Sequence, residues 1–261
     1  MRVHSSQPFF LLTCHAKLLS RALHGTCAVF IALAMSACTT LQNVEIKPEV
    51  KQSFTEVTLI EIPGPSRHLV LGVDPLSAKV GPVEIELDVD NTTFIGIAAA
   101  RLAIQASSLT KAVNPYLPNA GTALANELEA ELTKRGVKVT RMAAPANFKL
   151  MNFDYTPLNI KTPYILEATL HTSYQVQEDL LSPVVISRVR LLDKTGKQEH
   201  YKNVFSYAEP NDQNDNVMRI QPDIKYVFED LDKLYANGKI AAEAFEAAIK
   251  LIALNVGQQL K

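Results

Sequence analysis

Beyond residue 38 this sequence has no cysteine, and nowhere does it contain tryptophan. Its 261 residues include three cysteines, Cys14, Cys27 and Cys38, and no Trp. Secreted proteins that rely on disulfides use cysteines in pairs, so the sequence excludes a fold held together by disulfides. The fold must be stabilised by an apolar core, for which Leu, Ile, Val and Ala side chains provide the material.

The sequence also lacks an apolar run long enough to cross a membrane and a strong excess of either charge. Its most apolar stretch, residues 28–37, has about half of the roughly 20 residues that a spanning helix requires. Three of the 26 Lys and Arg residues precede that stretch, whereas the first acid is Glu45. The chain after residue 37 therefore has 23 basic and 27 acidic residues, a net charge of −4. This balance predicts no binding to nucleic acid.

The N-terminal stretch has the pattern of a secretory signal. A basic leader without acids precedes a short apolar run that ends in small residues. The ending Met35-Ser36-Ala37-Cys38 resembles the lipobox of bacterial lipoproteins. The resemblance implies that signal peptidase recognises Met35, Ser36 and Ala37, and that Cys38 becomes the acylated N-terminus. The alternative is an ordinary secretory leader with an incidental cysteine.

The lipobox resemblance implies a membrane anchor that needs no spanning helix, and it explains the lone Cys38. Burial of acyl chains contributes about 0.8 kcal/mol per methylene, and stable anchoring takes more than one chain. Members of the family carry three acyl groups, palmitate among them. Thr39 stands where Asp would signal retention in the inner membrane, so the resemblance implies an outer-membrane protein that faces the periplasm.

Apolar periodicity predicts alternating strands and helices in the rest of the chain. We expect strands at 54–62, 67–73, 83–90, 137–140, 148–155, 163–177, 184–192 and 198–207, and helices from 91 or 92 to 113, at 121–135, 223–234 and 239–260. The turn residues 193–196 predict an antiparallel hairpin between the last two strands. This order predicts an α+β fold, a layered domain with a mainly antiparallel sheet packed against helices.

The domain organisation follows from the signal and from the polar stretch behind it. We expect a signal peptide at 1–37, a lipidated N-terminus with a short tether at 38–52, and an α+β globular domain at 53–261. Prolines 115 and 118 allow a subdivision into 53–115 and 120–261.

One predicted strand carries candidate metal ligands. Apolar and acidic residues alternate strictly over 83–90, which crowds Asp88, Asp90 and Asn91 at the strand's end. Their oxygens could bind a cation, although the glycine of a calcium loop is missing. The alternative, which we favour, is a solvated strand face whose charge discourages edge pairing. No cofactor is predicted.

The sequence lacks the motifs of common enzymes. It has no Gly-x-Ser-x-Gly elbow and no phosphate-binding glycine loop, and it predicts no catalytic residues. His68, His171 and His200 are far apart in the chain, although the last two could meet on neighbouring strands in one register. With 27 acids a catalytic carboxylate pair stays open. The alternative function is therefore a periplasmic hydrolase that uses a carboxylate pair or histidines on the sheet.

A second resemblance covers residues 120–261. The helix that ends in Lys134-Arg135-Gly136 before a strand, the long strand and hairpin within 163–207, and the helical ending 231–260 resemble small periplasmic lipoproteins with a core like the TolB N-terminal domain or the curli secretion lipoproteins. That group implies an assembly factor, accessory subunit or regulator of an envelope complex. We therefore expect a protein that binds another envelope protein or itself and is not an enzyme.

Overall fold

In the described part of the chain, seven strands form one mixed sheet. The computed structural model describes residues 43–72, 91–146, 148, 153–209 and 217–261, with the backbone alone for 91–101. The predicted strand at 83–90, the signal peptide and Cys38 lie outside these residues. The predicted α+β class is confirmed, since the sheet packs against helices and its two longest ladders are antiparallel.

The elements have the following bounds. The helices are α1 (Pro48–Ser53), α2 (Asn91–Val113), α3 (Ala120–Lys134), α4 (Leu231–Ala236) and α5 (Gly238–Leu260). The strands are β1 (Glu56–Glu61), β2 (Leu69–Leu71), β3 (Lys138–Ala143), β4 (Tyr164–Gln177), β5 (Leu180–Asp193), β6 (Glu199–Tyr207) and β7 (Met218–Ile220). Two short 3-10 helices lie at Thr156–Leu158 and Ile224–Tyr226.

The centre of the sheet is the antiparallel run β4, β5 and β6. The β4–β5 turn has Glu178 and Asp179 with φ of 47° and 66°, the two positive angles that a tight hairpin requires. The predicted β5–β6 hairpin is confirmed, and Gly196 takes φ of 73° in its turn. The outer strands all pair in parallel: β1 and β2 with β4, β3 with β1, and β7 with β6. The strand order is therefore β3-β1-β4-β5-β6-β7, and β2 also pairs with β4.

Two short parallel strands share one edge of β4. Strand β1 pairs with Ile165–Glu167, and β2 pairs with Ser173–Gln175. Between these pairings, β4 has no strand partner on that edge among the described residues. Residues 62–68, which connect the two strands, run past this gap.

Helices α2, α3 and α5 cover one face of the sheet and enclose the main core. The predicted helices at 121–135 and 239–260 are confirmed, and their apolar side chains at helical spacing are buried in this core, among them Leu124, Leu128 and Leu132 of α3 and Phe245, Ile249 and Ile252 of α5. In α2, by contrast, Leu102 is 45% exposed while Gln105 is buried.

Two predicted elements differ from the structure where it describes them. In the predicted strand 148–155, residues 153–155 belong to no strand and lead into a 3-10 helix. Asp223 caps the second 3-10 helix through a 3.1 Å bond from the Lys225 amide, so no helix runs from 223 to 234. Helix α4 instead begins after Asp230, whose carboxylate accepts from the Lys233 amide at 2.7 Å.

The second face of the sheet is partly covered by apolar side chains that precede β4 in the chain, among them Leu158 and Ile160. A small core forms there from Ile60, Tyr155, Ile165 and Leu192, with Phe148 and Phe153 among the side chains packed against it. Polar residues of β4 and β5 on this face are therefore buried beside it. Among the described helices none is long and apolar enough to cross a membrane.

Candidate functional site

The residues predicted as lipid and metal sites lie mostly outside the described part of the chain. This applies to Met35, Ser36, Ala37 and Cys38, and to Asp88 and Asp90. Asn91 is the first residue of α2, where only the backbone is described. Within the described ranges, no group of three or more His, Cys, Asp or Glu side chains could hold a metal ion.

The predicted meeting of His171 with His200 is wrong. Strand β5 lies between their strands, and the register places His171 opposite Ile186, which in turn faces Ser206. Six residues along β6 separate Ser206 from His200. Instead, His200 stacks edge-on against Tyr164 with ring centroids 5.6 Å apart, and His171 is exposed.

His68 is the histidine that the fold uses internally. It lies in the gap between β1 and β2, is 2% exposed, and its Nδ1 is 2.6 Å from the Thr172 hydroxyl. Its backbone amide donates to the Thr110 hydroxyl of α2 at 2.9 Å, and its ring stacks on Phe245 of α5. Burial lowers the pKa of His68, with a hydrogen bond to Asn114 opposing the shift. His68 therefore joins two helices to the sheet as a neutral side chain.

A row of charged side chains crosses the second face of the sheet. Register places Glu167 of β4 beside Arg190 of β5, and Arg190 beside Lys202 of β6. The carboxylate of Glu199 completes the row: it accepts from Arg190 Nε at 2.9 Å and lies 3.8 Å from Lys202 Nζ. We call these four residues the charged row.

At the Glu167 end of the charged row, the buried charges lack hydrogen bonds. Glu167 Oε2 and Arg190 Nη1 are 3.3 Å apart, yet neither buried atom has a hydrogen-bond partner. Burial raises the pKa of Glu167 to about 7, and nearby Glu199 adds to this effect while Arg190 opposes it. Glu167 and Glu199 both lie against Arg190, but Glu167 is only 2% exposed and so is closed to a substrate. The contacts describe an ion network within the sheet.

The N-terminal segment 43–53 is bound directly to the outer edge of β6. Val44 and Lys202 exchange two backbone hydrogen bonds, of 2.8 and 2.9 Å. Ile46 and Val50 pack against the main core, and α1 follows with Pro48 at its first position. The folded unit therefore begins at Asn43, within the stretch predicted to be a tether.

A cleft of about 400 Å³ lies where this segment meets the sheet edge. Its lining comes from the docked segment, from β6 and β7, and from the carboxyl-terminal turn of α5, as Asn43, Val44, Glu45, Ile46, Tyr201, Lys202, Asn203, Met218 and Gln259. Gln259 Oε1 accepts from the Tyr201 hydroxyl and, at 3.0 Å, from Asn203 Nδ2. The side-chain oxygen of Asn203 also accepts from the Val204 amide at 2.8 Å, so this backbone N–H of β6 has a hydrogen-bond partner.

Large apolar side chains are exposed on the second face of the sheet at the end away from the small core. Leu69 and Leu71 of β2 are 46% and 40% exposed, and Ile186 of β5 is 41% exposed. Leu69 pairs with Ser173 on one side of β4, and Ile186 pairs with His171 on its other side. Since Ser173 and His171 are two residues apart on β4, Leu69 and Ile186 lie on the same face of the sheet. We call Leu69, Leu71 and Ile186 the exposed apolar face.

Sequence reasoning missed the charged row and the docked segment. Alternation along β4 places Glu167 on the sheet face opposite the helices, and the pattern of one strand does not show which residues of that face are buried. The docked segment did leave a local signal. Ile46 and Val50 are four residues apart around Pro48, a residue favoured at the first position of a helix.

The comparisons with known proteins define no family for this chain. No protein-family model matches the sequence. No curated protein matches it either. Among solved structures, the chain is similar to a DUF330 protein from Xanthomonas campestris, with 14% identity, 84% of this chain and 91% of the other covered, and a TM-score of 0.37.

Two further solved structures are similar at the same low level. A neuraminyllactose-binding hemagglutinin homolog from Helicobacter pylori has 8% identity, covers 83% of this chain and 88% of its own, and has a TM-score of 0.36. The PelC dodecamer from Paraburkholderia phytofirmans has 11% identity, coverages of 80% and 93%, and a TM-score of 0.29. At these scores none of the likenesses assigns a function to the chain.

Proposed function

We propose that the protein is a lipid-anchored lipoprotein of the outer membrane, facing the periplasm, that works by binding another envelope protein or a second copy of itself. The exposed apolar face is the observation that carries the binding role. Leu69, Leu71 and Ile186 share one sheet face, and each exposes 40% or more of its surface. Clustered apolar side chains that remain in water are typical of surfaces that a partner covers.

The anchor is supported by the sequence at Cys38. Met35-Ser36-Ala37-Cys38 has the small and apolar residues of a lipobox, and no other cysteine follows. Three acyl chains on Cys38 give stable attachment, since stable anchoring takes more than one chain. Such a protein acts as an assembly factor, accessory subunit or regulator of an envelope complex.

Substitution of the exposed apolar face tests the binding role. The triple variant Leu69→Ser, Leu71→Ser and Ile186→Ser should lose the partner that the wild-type protein retains after cross-linking in cells and purification in detergent. Exposed Leu102 and Ile104 on α2 provide a matched control, because replacing them with Ser removes similar apolar surface elsewhere. Equal partner recovery from the triple variant and the wild type would contradict the assigned surface.

Membrane fractionation tests the anchor separately. Replacing residues 1–38 by a secretory signal that is cleaved without acylation should move residues 39–261 from the membrane to the soluble periplasmic fraction, whereas Cys14→Ala and Cys27→Ala in the full chain should leave it on the membrane. Retention of the unacylated 39–261 chain on the membrane would overturn the anchor. A hydrolase is the alternative function, and turnover of an envelope substrate that Glu199→Gln or His171→Asn abolishes would support it.

A further inference from the structure

The docking of segment 43–53 limits how the domain can sit above a membrane. Val44 is fixed to β6 by two backbone hydrogen bonds, and Ile46 and Val50 continue into the core. Only five residue steps separate Cys38 from Asn43. A fully extended chain spans at most about 3.6 Å per residue, so Asn43 lies within about 18 Å of the acylated residue.

The folded unit is wider than this distance. Residues Asn43–Lys261 form the unit, and a chain of that length has a radius of gyration of about 17 Å, equivalent to a sphere about 45 Å across. A connection of about 18 Å cannot reach around such a body. The surface near Asn43 must therefore lie on the side that faces the lipid.

The strand order shows which elements form the surface near Asn43 and which elements lie opposite it. Asn43 lines one cleft with Met218 of β7 and Gln259 of α5, so these three elements meet at the same place. Strand β3 is the other edge of the sheet, five strand spacings from β7. At about 4.8 Å per spacing, the two edges are about 24 Å apart.

We infer that the surface formed by Asn43, β7 and the carboxyl-terminal end of α5 faces the headgroups of the bilayer, while the β3 edge points into the periplasm. This inference rests on the proposed lipid anchor at Cys38. The bilayer is the partner of the β7 surface, and a protein partner must approach from the β3 side or from the faces of the sheet. Because residues 43–53 are docked on the domain, only the five residue steps from Cys38 to Asn43 separate the domain from the acylated residue.

Single tryptophans test this orientation, because the sequence contains none and an introduced one has no background. Arg219→Trp on β7 and Lys261→Trp after α5 probe the near surface, and Thr140→Trp on β3 probes the far edge; all three positions are exposed. The full chain is produced in a Gram-negative host. The extracted, acylated protein is then placed in phosphatidylethanolamine and phosphatidylglycerol vesicles that carry headgroup nitroxides.

Both near tryptophans should be quenched at least about twofold more strongly than Trp at position 140, because their greatest distance from the lipid is limited by the short connection. A Gly-Ser insert of about 20 residues between Gln42 and Asn43 spans about 25 Å on average, and it should abolish the difference. Equal quenching at the near and far positions without the insert would overturn the orientation while leaving the anchor in place. Vesicle binding by an unacylated 39–261 chain would instead overturn the anchor itself.

Discussion

At the residue scale, the two most informative side chains are buried groups whose charge the fold disfavours. Glu167 faces Arg190 without a hydrogen bond and borders the small apolar core. His68 is enclosed by two helices and β4. Burial opposes charging of both, so it raises the pKa of the acid and lowers the pKa of the base. The two groups therefore affect stability in opposite pH ranges.

Glu167→Gln should become increasingly stabilising, relative to the wild type, as the pH rises from about 4.5 to 8. The folded carboxyl has a pKa of about 7 against 4.5 unfolded, so the wild-type protein loses stability as the pH rises through this interval, whereas glutamine cannot ionise. The change corresponds to at most about 3 kcal/mol in the free energy of unfolding. Urea unfolding across the pH series measures it, with exposed Glu243→Gln as control. A pH-independent difference would contradict the assignment.

His68→Asn should cost about 1–3 kcal/mol near neutral pH, because it loses ring packing on Phe245 and a buried hydrogen bond. The folded pKa is lowered, so the wild-type protein loses stability as the pH falls below about 6.5, where the unfolded histidine takes up its proton. The gap between the variant and the wild type should therefore narrow toward pH 5. Exposed His171→Asn is the matched control, and a gap that widens in acid would refute the interpretation.

At the element scale, close contacts between backbones fix the position of α3 on the sheet. A Cβ on Gly121 would lie 2.3 Å from the Gly64 nitrogen, and a Cβ on Gly64 would lie 2.5 Å from the Gly121 nitrogen. Next to this contact, the Thr122 hydroxyl donates to Glu61 at 2.6 Å, and Arg141 of β3 bonds the same carboxylate. These bonds lower the pKa of Glu61. The start of α3 is thus held to β1 and β3 at one point.

Gly121→Ala should destabilise the protein by about 1–3 kcal/mol, because the helix must shift away from the backbone of residues 62–64. Gly136→Ala, just after the other end of α3, is the comparison. Its φ of 81° is strained for alanine, but nothing lies within 4 Å of the new Cβ, so its cost should be about 1 kcal/mol. Denaturant midpoints rank the two variants. A Gly121→Ala protein as stable as the wild type would contradict the contact.

Local patterns predicted the elements well and their long-range contacts poorly. The hairpin turn at 193–196 and the helix at 239–260 depend on neighbouring residues, and both were confirmed. The position of β2 on β4 depends on a partner about 100 residues away, which no local period contains. The same reason explains Val44, whose bridge partner Lys202 is far away in the sequence.

At the scale of the whole molecule, the fold connects a proposed lipid anchor closely to one unit that spans Asn43–Lys261. The docked segment places Val44 on β6, and the exposed apolar face lies on β2 and β5. On the proposed function, a single chain presents one surface for the membrane and another for a partner. The membrane role depends on acylation of Cys38, which is the central claim.

Mass spectrometry of the N-terminal peptide, from the full chain produced in a Gram-negative host and extracted from its membranes, tests that claim most directly. The account predicts a mature chain that begins at Cys38 and carries the mass of a thioether-linked diacylglyceryl group and an amide-linked acyl group. Labelled palmitate should appear in this peptide. A mature chain that begins elsewhere, or an unmodified Cys38 thiol in membrane-bound protein, would contradict it.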